Sequence, residues 1–419
     1  MSGTIIVGLQ VGDEGKGKVT DYFSERSQYV VRYQGGNNAG HTVAVGNKTY
    51  KFHLLPSGVV QKKRCCIAAG VIIDPRVLAK EITEFGNKLD LVIDPRAHII
   101  MPYHVTLDVL AEGKSGDVKI GTTGRGIGPC YADRAARVGV RFEELINREK
   151  LSAKLDKVYP LKQKIIEKAY DTPAPFTKES ILAEYAALGE KLAPFMGDVS
   201  LEIHNALEAN KAVLFEGAQG MFLDNDFGTY PFVTASHPIA GGMFIGVGIG
   251  TAHIDRIIGV TKAYMTRVGG GPMPTELFGT EADALRTKGN EFGTTTGRPR
   301  RVAWLDLPML RTALRINGCN EIAIMKLDVL SGLPKVKIGV SYTINGKETK
   351  EFPFDTTAAE KATVNYKELS GFTFDPTKVK KKEDLPKEAR EYLEFIAKEL
   401  NTKIMMVSIG PERSQTILL

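Results

Sequence analysis

The sequence predicts an α/β fold in which helices flank a large, mostly parallel β-sheet. Short apolar runs of strand type recur along the chain, and helical patterns separate most of them. In the segments 180–195 and 386–400, apolar residues recur about every three to four positions, which is the spacing of an amphipathic helix. Strands that alternate with helices are typical of parallel sheets covered on both faces. The predicted strands are Ile5–Val7, Tyr29–Tyr33, Cys65–Ala68, Ala212–Phe215, Ile257–Ala263, Ile322–Met325 and Ile404–Ser408.

No long linker and no repeat divides the chain. Residues 1–419 are therefore expected to form one α/β domain with a phosphate-binding loop near the N-terminus and long loop insertions. Asp384 together with Pro386 is expected to form the N-terminal cap of the last helix. The longest apolar run, Ile239–Ala252, is too short and too rich in glycine to cross a bilayer, so no membrane partner is expected. The first strand begins almost at once, so no secretion signal is expected either.

The amino-acid composition indicates which kinds of ligand the protein binds and in which cellular compartment it is found. A net charge of +6 and a pI near 8.9 are a mild basic excess that suits anionic metabolites as well as nucleic acid. The lysine-rich run 378–382 has no interleaved aromatic residues, which favours a solvated face over a nucleic-acid surface. The four cysteines show no zinc-binding spacing and are expected to be buried free thiols. Free thiols are typical of a reducing compartment, so a cytoplasmic location is predicted.

A glycine-rich loop with two lysines follows the first predicted strand. Its spacing matches the phosphate-binding pattern G-x-x-x-x-G-K, but Val19 stands where that pattern has Ser or Thr. A strand, a glycine-rich turn and a helix that starts near Val19 would together form a cradle for phosphate groups. Asp13 lies inside this loop, where it would face phosphate, so it is expected to hold a cation or to move a proton. The loop residues are Gly12, Asp13, Glu14, Gly15, Lys16, Gly17 and Lys18.

A second glycine-rich loop, residues 34–42, follows the predicted strand Tyr29–Tyr33. Asn38 can form hydrogen bonds with the polar edge of a ring. His41 is a candidate acid or electrostatic stabiliser, because the charge of an imidazole changes near neutral pH. A single histidine is often structural, but its place in a polar loop near the first cradle favours a functional role.

Two further loops resemble each other, at 121–129 and 294–301. Each combines threonine hydroxyls, glycine and arginine, which together suit carboxylate or phosphate groups. Three arginines lie within four residues of the second loop and repel one another unless anions are present. Surface salt bridges are the alternative explanation. Together with the first cradle, these loops predict more than one anionic ligand, as in a multi-substrate enzyme.

Lys326-Leu327-Asp328 directly follows the predicted strand Ile322–Met325. An aspartate there can accept hydrogen bonds from both N1–H and the 2-amino group of guanine, while the lysine stem packs on the base. Adenine does not present that pair of donors, so the segment favours GTP over ATP.

Taken together, these segments resemble the adenylosuccinate synthetase family over essentially the whole chain, from residue 3 to the end. That resemblance implies a large single α/β domain. The matching segments are 12–18, 38–42, 121–129, 216–220, 228–231, 295–301, 326–328 and 408–411.

The resemblance also implies a reaction. The family uses GTP, with Mg²⁺, to join L-aspartate to inosine monophosphate (IMP) through a 6-phosphoryl-IMP intermediate, giving adenylosuccinate, GDP and phosphate. Asp13 would take the N1 proton of the purine and bind the metal, to which Gly40 would add its carbonyl. His41 would act as the acid, and Lys16 would neutralise charge that develops on the transferred phosphoryl group.

Binding residues follow from the resemblance in the same way. GTP contacts are implied for Gly12, Asp13, Glu14, Gly15, Lys16, Gly17, Lys18, Gly40, His41, Thr42, Arg300, Lys326, Leu327, Asp328, Ser408, Ile409 and Gly410. IMP contacts are implied for Asp13, Glu14, Gly15, Lys16, Asn38, Ala39, Gly40, His41, Thr123, Arg137, Gln219, Thr234 and Arg298. Aspartate contacts are implied for Thr294, Thr295, Thr296, Gly297, Arg298, Pro299 and Arg300. Arg137 would reach the IMP site of a partner subunit, which implies a homodimer.

Departures from the family and alternative functions complete the prediction. Asn37 stands where many relatives have histidine, Arg134 where many have lysine, and Pro299 where others have arginine. None of these removes a proposed catalytic group.

Two alternative functions are open at this point. One is a GTP-hydrolysing switch or a kinase, and the other is a non-catalytic binding protein regulated by nucleotide.

Overall fold

The computed structural model describes residues 3–45, 48–86, 89–114, 121–292 and 299–419, and for residues 41–45 and 48–49 it describes the backbone alone. The strands, numbered along the chain, are β1 Gly3–Gly8, β2 Tyr29–Arg32, β3 His41–Val45, β4 Lys48–Phe52, β5 Arg64–Ile67, β6 Ile72–Ile73, β7 Leu91–Ile93, β8 His98–Ile99, β9 Val213–Glu216, β10 Ile254–Lys262, β11 Met265–Arg267, β12 Arg301–Ala303, β13 Leu305–Asp306, β14 Glu321–Met325, β15 Lys335–Ile344, β16 Lys347–Thr349, β17 Thr363–Ser370, β18 Lys403–Ser408 and β19 Thr416–Leu418.

Thirteen α-helices are described. They are α1 Lys16–Ser24, α2 Pro75–Phe85, α3 Pro102–Lys114, α4 Ile127–Ala136, α5 Phe142–Leu145, α6 Arg148–Lys164, α7 Lys178–Leu192, α8 Val199–Glu208, α9 Ala240–Val247, α10 Gly279–Gly289, α11 Leu307–Asn317, α12 Thr356–Glu360 and α13 Lys387–Leu400. Within the described ranges, no helix combines the length and apolar character that crossing a bilayer requires.

A nine-stranded sheet organises the fold, with the strand order β19-β18-β14-β10-β1-β9-β2-β5-β7. All neighbouring strands pair in parallel except β19, which is antiparallel to β18. The predicted α/β class with a large, mostly parallel sheet is therefore confirmed. Each predicted strand overlaps an observed strand of this sheet, with ends that differ by at most three residues, because buried parallel strands have continuous apolar sequences.

Both faces of this sheet are buried, as alternate residues of β1 illustrate. Ile5 and Val7 belong to one large hydrophobic cluster, and Ile6 belongs to another on the opposite face. All four cysteines are buried and free, as predicted. A smaller sheet of β13, β15, β16 and β17 packs beside the main one, and β15 contacts α11.

Two helix starts differ from the sequence-based expectations. Helix α1 begins at Lys16 rather than near Val19, and its N-cap is Gly15, which forms no side-chain cap. Helix α13 has Pro386 at its N-cap, so the expectation that Asp384 caps it is wrong. Asp384 instead accepts hydrogen bonds from the Lys380 and Lys381 amides, at 2.9 and 3.1 Å.

Because the strands are parallel, the loops that follow them meet at one edge of the sheet. The phosphate-binding loop follows the central strand β1. The Asn38 loop follows β2 on one side, and the Lys326–Asp328 segment follows β14 on the other side. The candidate site therefore lies at the carboxyl edge, with the β1 loop between the other two.

Candidate active site

The phosphate-binding loop turns sharply between β1 and α1. Gly12, Asp13 and Gly15 have φ values of 89°, 58° and 94°, which lie in the left-handed region. Glycine adopts this region without strain, and aspartate tolerates it better than most residues do. The turn leaves the Asp13 side chain 43% exposed, while Lys16 at the start of α1 is only 5% exposed.

Glu14 stabilises this loop from within. Its buried Oε1 accepts hydrogen bonds from the Gln10 amide at 3.1 Å and from the Gly12 amide at 2.9 Å. Its Oε2 lies 2.5 Å from Lys16 Nζ. Glu14 therefore holds the lysine that is expected to neutralise phosphoryl charge. A ligand that recruits Lys16 must compete with this internal pair.

Lys18 connects the phosphate loop to the C-terminal segment. Its Nζ donates to Ser408 Oγ at 2.7 Å, to the Gly410 carbonyl at 2.8 Å and to the Gln415 carbonyl at 3.0 Å. Burial lowers the pKa of Lys18 to about 8, although Asp328 and Glu412 oppose the shift. All three ammonium protons are used within the protein, so Lys18 fixes the position of the segment predicted to contact guanine.

The Lys326–Asp328 segment presents a carboxylate oxygen without a hydrogen-bond partner. Asp328 Oδ1 is buried and accepts no hydrogen bond, and burial raises the pKa of this carboxyl group. A buried acceptor without a partner loses free energy unless a ligand supplies a donor. Lys326 has a φ of 61°, and its Nζ donates to the Gly289 carbonyl and to Glu291 Oε1, both at 2.8 Å.

On the other side of the phosphate loop, three residues predicted to contact IMP lie together. Asn38 Oδ1 accepts a hydrogen bond from Gln219 Nε2 at 3.2 Å, and Asn38 Nδ2 donates to Thr234 Oγ1 at 3.4 Å. Gln219 Oε1 is buried and has no hydrogen-bond partner. The group therefore offers both donors and acceptors to a polar ring.

Asp13 contacts Arg300, which is predicted to bind both GTP and aspartate. Arg300 Nη2 lies 2.9 Å from Asp13 Oδ2, and Arg300 Nη1 lies 2.8 Å from Glu291 Oε2. Next to it, Arg301 pairs with Glu276. Carboxylates of the protein itself thus supply part of the negative charge that the arginine-rich loop requires. That these arginines also bind anionic ligands stays a prediction.

Thr123 and Arg137 lie at the two ends of the segment that includes α4. Thr123 is exposed and lines a cavity of about 270 Å³ beside α3. Arg137 is exposed at the C-cap of α4 with a φ of 65°. Buried Asp133 anchors α4, since it accepts from His104 Nε2 at 2.9 Å and pairs with Lys162. Burial lowers the pKa of His104, although Asp133 opposes the shift.

Several predicted site residues lie wholly or partly outside the described part of the chain. Only the backbone of His41 and Thr42 is described, at the start of β3. The predicted aspartate-binding residues outside the described ranges are Thr294, Thr295, Thr296, Gly297 and Arg298. Pro299 is described and exposed.

Asp13 and Gly40 offer oxygen atoms of the kind that bind a hard cation. Asp13 has an exposed carboxylate, and a Cβ added at the exposed Gly40 would meet no atom within 4 Å. These donors fit Mg²⁺, which commonly binds one or two carboxylates together with phosphates and water. In the described part of the chain, the potential ligand atoms of Asp224, Asp226 and His237 also lie within 4.8 Å of one another. That group includes an ion pair of 3.4 Å between His237 Nδ1 and Asp224 Oδ2.

A sequence profile of the adenylosuccinate synthetase family matches residues 5–417. The chain belongs to the adenylosuccinate synthetase family. It is 48% identical to the adenylosuccinate synthetase of Caldanaerobacter subterraneus, with 100% of this chain and 99% of that protein covered. It is 47% identical to the enzyme of that name from Bacillus cereus, with 99% of this chain and 98% of that protein covered.

Solved structures agree with this family. The fully ligated adenylosuccinate synthetase of Plasmodium falciparum has a TM-score of 0.95 and 38% identity, with 99% of both chains covered. A cyanophage S-2L succinoaminodeoxyadenylate synthetase, bound to dGMP and dATP, has a TM-score of 0.64 and 18% identity, with 100% of this chain and 95% of that chain covered. The second likeness shows a common fold alone.

One residue that contacts several parts of the candidate site was not predicted from the sequence. Glu291 is fully buried and contacts Lys262, Tyr264, Lys326 and Arg300. Lys262 and Lys326 outweigh the effect of burial and hold the pKa of Glu291 at about 2. The one sequence signal was indirect, since clustered arginines require nearby anions.

Proposed function

We propose that this chain joins L-aspartate to IMP at the expense of GTP, forming adenylosuccinate, GDP and phosphate. The observation that carries the proposal is the position of Asp13. It lies on the central phosphate loop, with the buried acceptor of Asp328 on one side and the Asn38 group on the other. A donor nucleotide on the β14 side and an acceptor nucleotide on the β2 side would meet at this carboxylate.

The first proposed step is a phosphoryl transfer. Asp13 accepts the N1 proton of IMP, which makes O6 nucleophilic. O6 then attacks the γ-phosphorus of GTP, the bond between that phosphorus and the β–γ bridging oxygen breaks, and GDP leaves. Stabilising charge on the transferred group is the main task of the protein in such reactions. Lys16 and His41 are proposed for this role.

In the second step the aspartate amine attacks C6 of the phosphorylated purine. The C6–O6 bond breaks, phosphate leaves with O6, and the attacking nitrogen loses a proton. Arg300 is the proposed partner of a substrate carboxylate, because its guanidinium already contacts a carboxylate in this position. Arg298 and the preceding threonines are proposed to complete this aspartate site.

Magnesium is the proposed metal, and Asp13 and Gly40 would hold it. When bound, Mg²⁺ neutralises phosphate charge during the transfer. The protein itself contributes the orientation of the phosphate loop, through Glu14 and Lys18.

We also propose a cytoplasmic homodimer in which Arg137 reaches the IMP site of the partner subunit. The exposed position of Arg137 at the end of the anchored helix α4 supports this role. Four buried free thiols support a reducing compartment. That residues 1–419 form a single domain remains a prediction.

The test is a spectrophotometric assay of the purified protein with IMP, GTP, L-aspartate and Mg²⁺, with each component omitted in turn and with ATP in place of GTP. Product absorbance that requires all four components and fails with ATP is expected. GTP hydrolysis without IMP or aspartate would instead indicate a GTPase. Tight GTP binding without turnover would indicate a nucleotide-regulated binding protein.

A further inference from the structure

Glu291 lies between α10 and the arginine-rich loop and has no exposed surface. Its Oε1 accepts from Lys262 Nζ at 3.0 Å, from the Tyr264 hydroxyl at 2.5 Å and from Lys326 Nζ at 2.8 Å. Its Oε2 accepts from Arg300 Nη1 at 2.8 Å. One carboxylate therefore binds residues from β10, from the end of β14 and from the arginine-rich loop.

The partners of Glu291 belong to two different substrate sites under the proposed function. Lys326 is part of the segment proposed to bind the guanine of GTP. Arg300 is proposed to bind the carboxylate of aspartate, and its second nitrogen, Nη2, contacts Asp13. Glu291 contacts both Lys326 and Arg300 directly.

Charge explains why this carboxylate is required. Lys262, Lys326 and Arg300 bring three positive charges into a region that is largely buried. Glu291 is the carboxylate common to all three, and without it these cations would repel one another at short distance. An amide in its place could still accept hydrogen bonds, but it would not neutralise the charge.

The two nitrogens of Arg300 have separate partners. Nη1 is held by Glu291, and Nη2 is held by Asp13. An incoming aspartate carboxylate can replace Asp13 at Nη2 while Nη1 remains on Glu291. That exchange would release Asp13 for proton transfer without displacing the guanidinium.

We propose that Glu291 is a positioning residue that holds Lys326 and Arg300 as one unit and so couples the binding of GTP to that of aspartate. This inference rests on the proposed function of the site. Glu291 does not touch either substrate in this scheme. It acts through the lysine and the arginine that do.

The experiment compares the KM values of all three substrates in the wild-type protein and in Glu291→Gln. The KM for GTP and the KM for aspartate are both expected to rise on the order of tenfold, the usual scale of coupling between sites. The KM for IMP is expected to stay within about twofold, because the Asn38 group does not contact Glu291. A merely structural role would not separate IMP from the other two substrates.

Glu321→Gln is the matched control. Glu321 pairs with Arg256 at 2.6 Å and lies on β14, the strand that leads to Lys326, but at its amino end. This variant is expected to leave all three KM values unchanged. If Glu291→Gln fails to fold, Glu291→Asp keeps the charge but shortens the reach, and the same pattern is expected.

Two results would overturn the inference while the wild-type protein is active. One is an unchanged KM for both GTP and aspartate in a folded Glu291 variant. The other is an equal rise for IMP, which would indicate general damage. If the wild-type protein itself makes no adenylosuccinate, the proposed function fails instead, so the two failures are distinguishable.

Discussion

Asp13 and Arg300 form an ion pair of 2.9 Å across the candidate site, where Asp13 is predicted to serve IMP and GTP and Arg300 is predicted to serve aspartate and GTP. In this arrangement the guanidinium of Arg300 contacts the Asp13 carboxylate, which is proposed to accept the N1 proton of IMP. A carboxylate oxygen that is engaged by a guanidinium is less accessible to the N1–H of IMP. The pair therefore describes a resting site, in which aspartate binding at Arg300 would free the base.

Replacing Asp13 tests the base directly. Asp13→Ala should abolish turnover, and Asp13→Asn is the better variant because asparagine tolerates the left-handed φ of 58° at this position. We expect kcat to fall on the order of 100-fold to 10,000-fold, which is the contribution of a positioned general base. The thermal midpoint of unfolding should change little, since the side chain is 43% exposed.

Near-normal kcat in a folded Asp13 variant would contradict the mechanism. Asp90→Ala, at an exposed pair with Arg64, serves as the control.

Replacing Arg300 separates its two contacts. Arg300→Met releases Asp13 but removes the proposed partner of the aspartate carboxylate. We expect the KM for aspartate to rise on the order of 10-fold to 100-fold, since a charged hydrogen bond is lost. Arg256→Met, which breaks a pair at the opposite edge of the sheet, should leave this KM unchanged. Steady-state kinetics at saturating IMP and GTP measure the effect. An unchanged KM for aspartate would assign the carboxylate to another residue.

Asp328 tests base selection. Asp328→Asn should shift preference from GTP toward XTP, because an amide can accept from N1–H and donate to the 2-oxo group of xanthine. The ratio of kcat/KM for GTP to that for XTP should fall on the order of 100-fold or more, as for sites that leave a buried polar group unpaired. Competition assays with both nucleotides give the ratio. A variant that still prefers GTP as strongly as the wild type would show that guanine binds elsewhere.

The sequence was sufficient for seven of the nine strands of the main sheet, because those strands are local and apolar, but it did not predict β7 and β19. β1 and β14 are short buried runs, and the residues that follow them reach the same edge once the strands are parallel. Asn38 and Gln219 were predicted separately and lie in direct contact for this reason. Apolar runs thus predicted the strands that bring these loops together, whereas Gln219 was assigned through the resemblance alone.

Contacts between distant segments could not be predicted in the same way. Lys18 was expected to contact phosphate, yet it donates to residues 390 or more positions away, at the end of the chain. The start of α1 was misplaced because Gly15 offers no side-chain cap that a pattern could reveal. Glu291 follows a helix with no motif around it, and its importance emerges only when three cations meet it in the folded chain.

Asp306 predicts a pH dependence of stability. It is fully buried at the N-cap of α11, and burial raises its pKa to about 6 from the usual 3.8, although the Tyr342 hydroxyl at 2.6 Å opposes the shift. Between these values the folded chain binds more protons than the unfolded chain, so this contribution to stability is present below pH 3.8 and is lost as the pH rises through 6. The shift corresponds to about 3 kcal/mol.

Asp306→Asn cannot ionise and still offers an oxygen to the Met309 amide. The unfolding free energy of the variant should therefore rise relative to that of the wild type between pH 4 and pH 7, on the order of 1 to 3 kcal/mol. Urea unfolding at several pH values measures the difference. A difference that does not change with pH would show that this carboxyl group titrates normally.

Arg137 predicts that each active site is shared between two subunits. If Arg137 acts on the partner's site and Asp13 acts on its own, Arg137→Leu and Asp13→Asn should each be inactive as homodimers. Mixing the two variants should produce heterodimers in which one site has both defects and the other has none. Random exchange of subunits between equal amounts of the two variants makes half of the dimers mixed, so activity should recover to about a quarter of the wild-type value.

Because Arg137 is exposed, its replacement should not unfold the subunit. Size-exclusion chromatography confirms that the mixed species is a dimer, and a mixture without recovered activity would place Arg137 outside the partner's site.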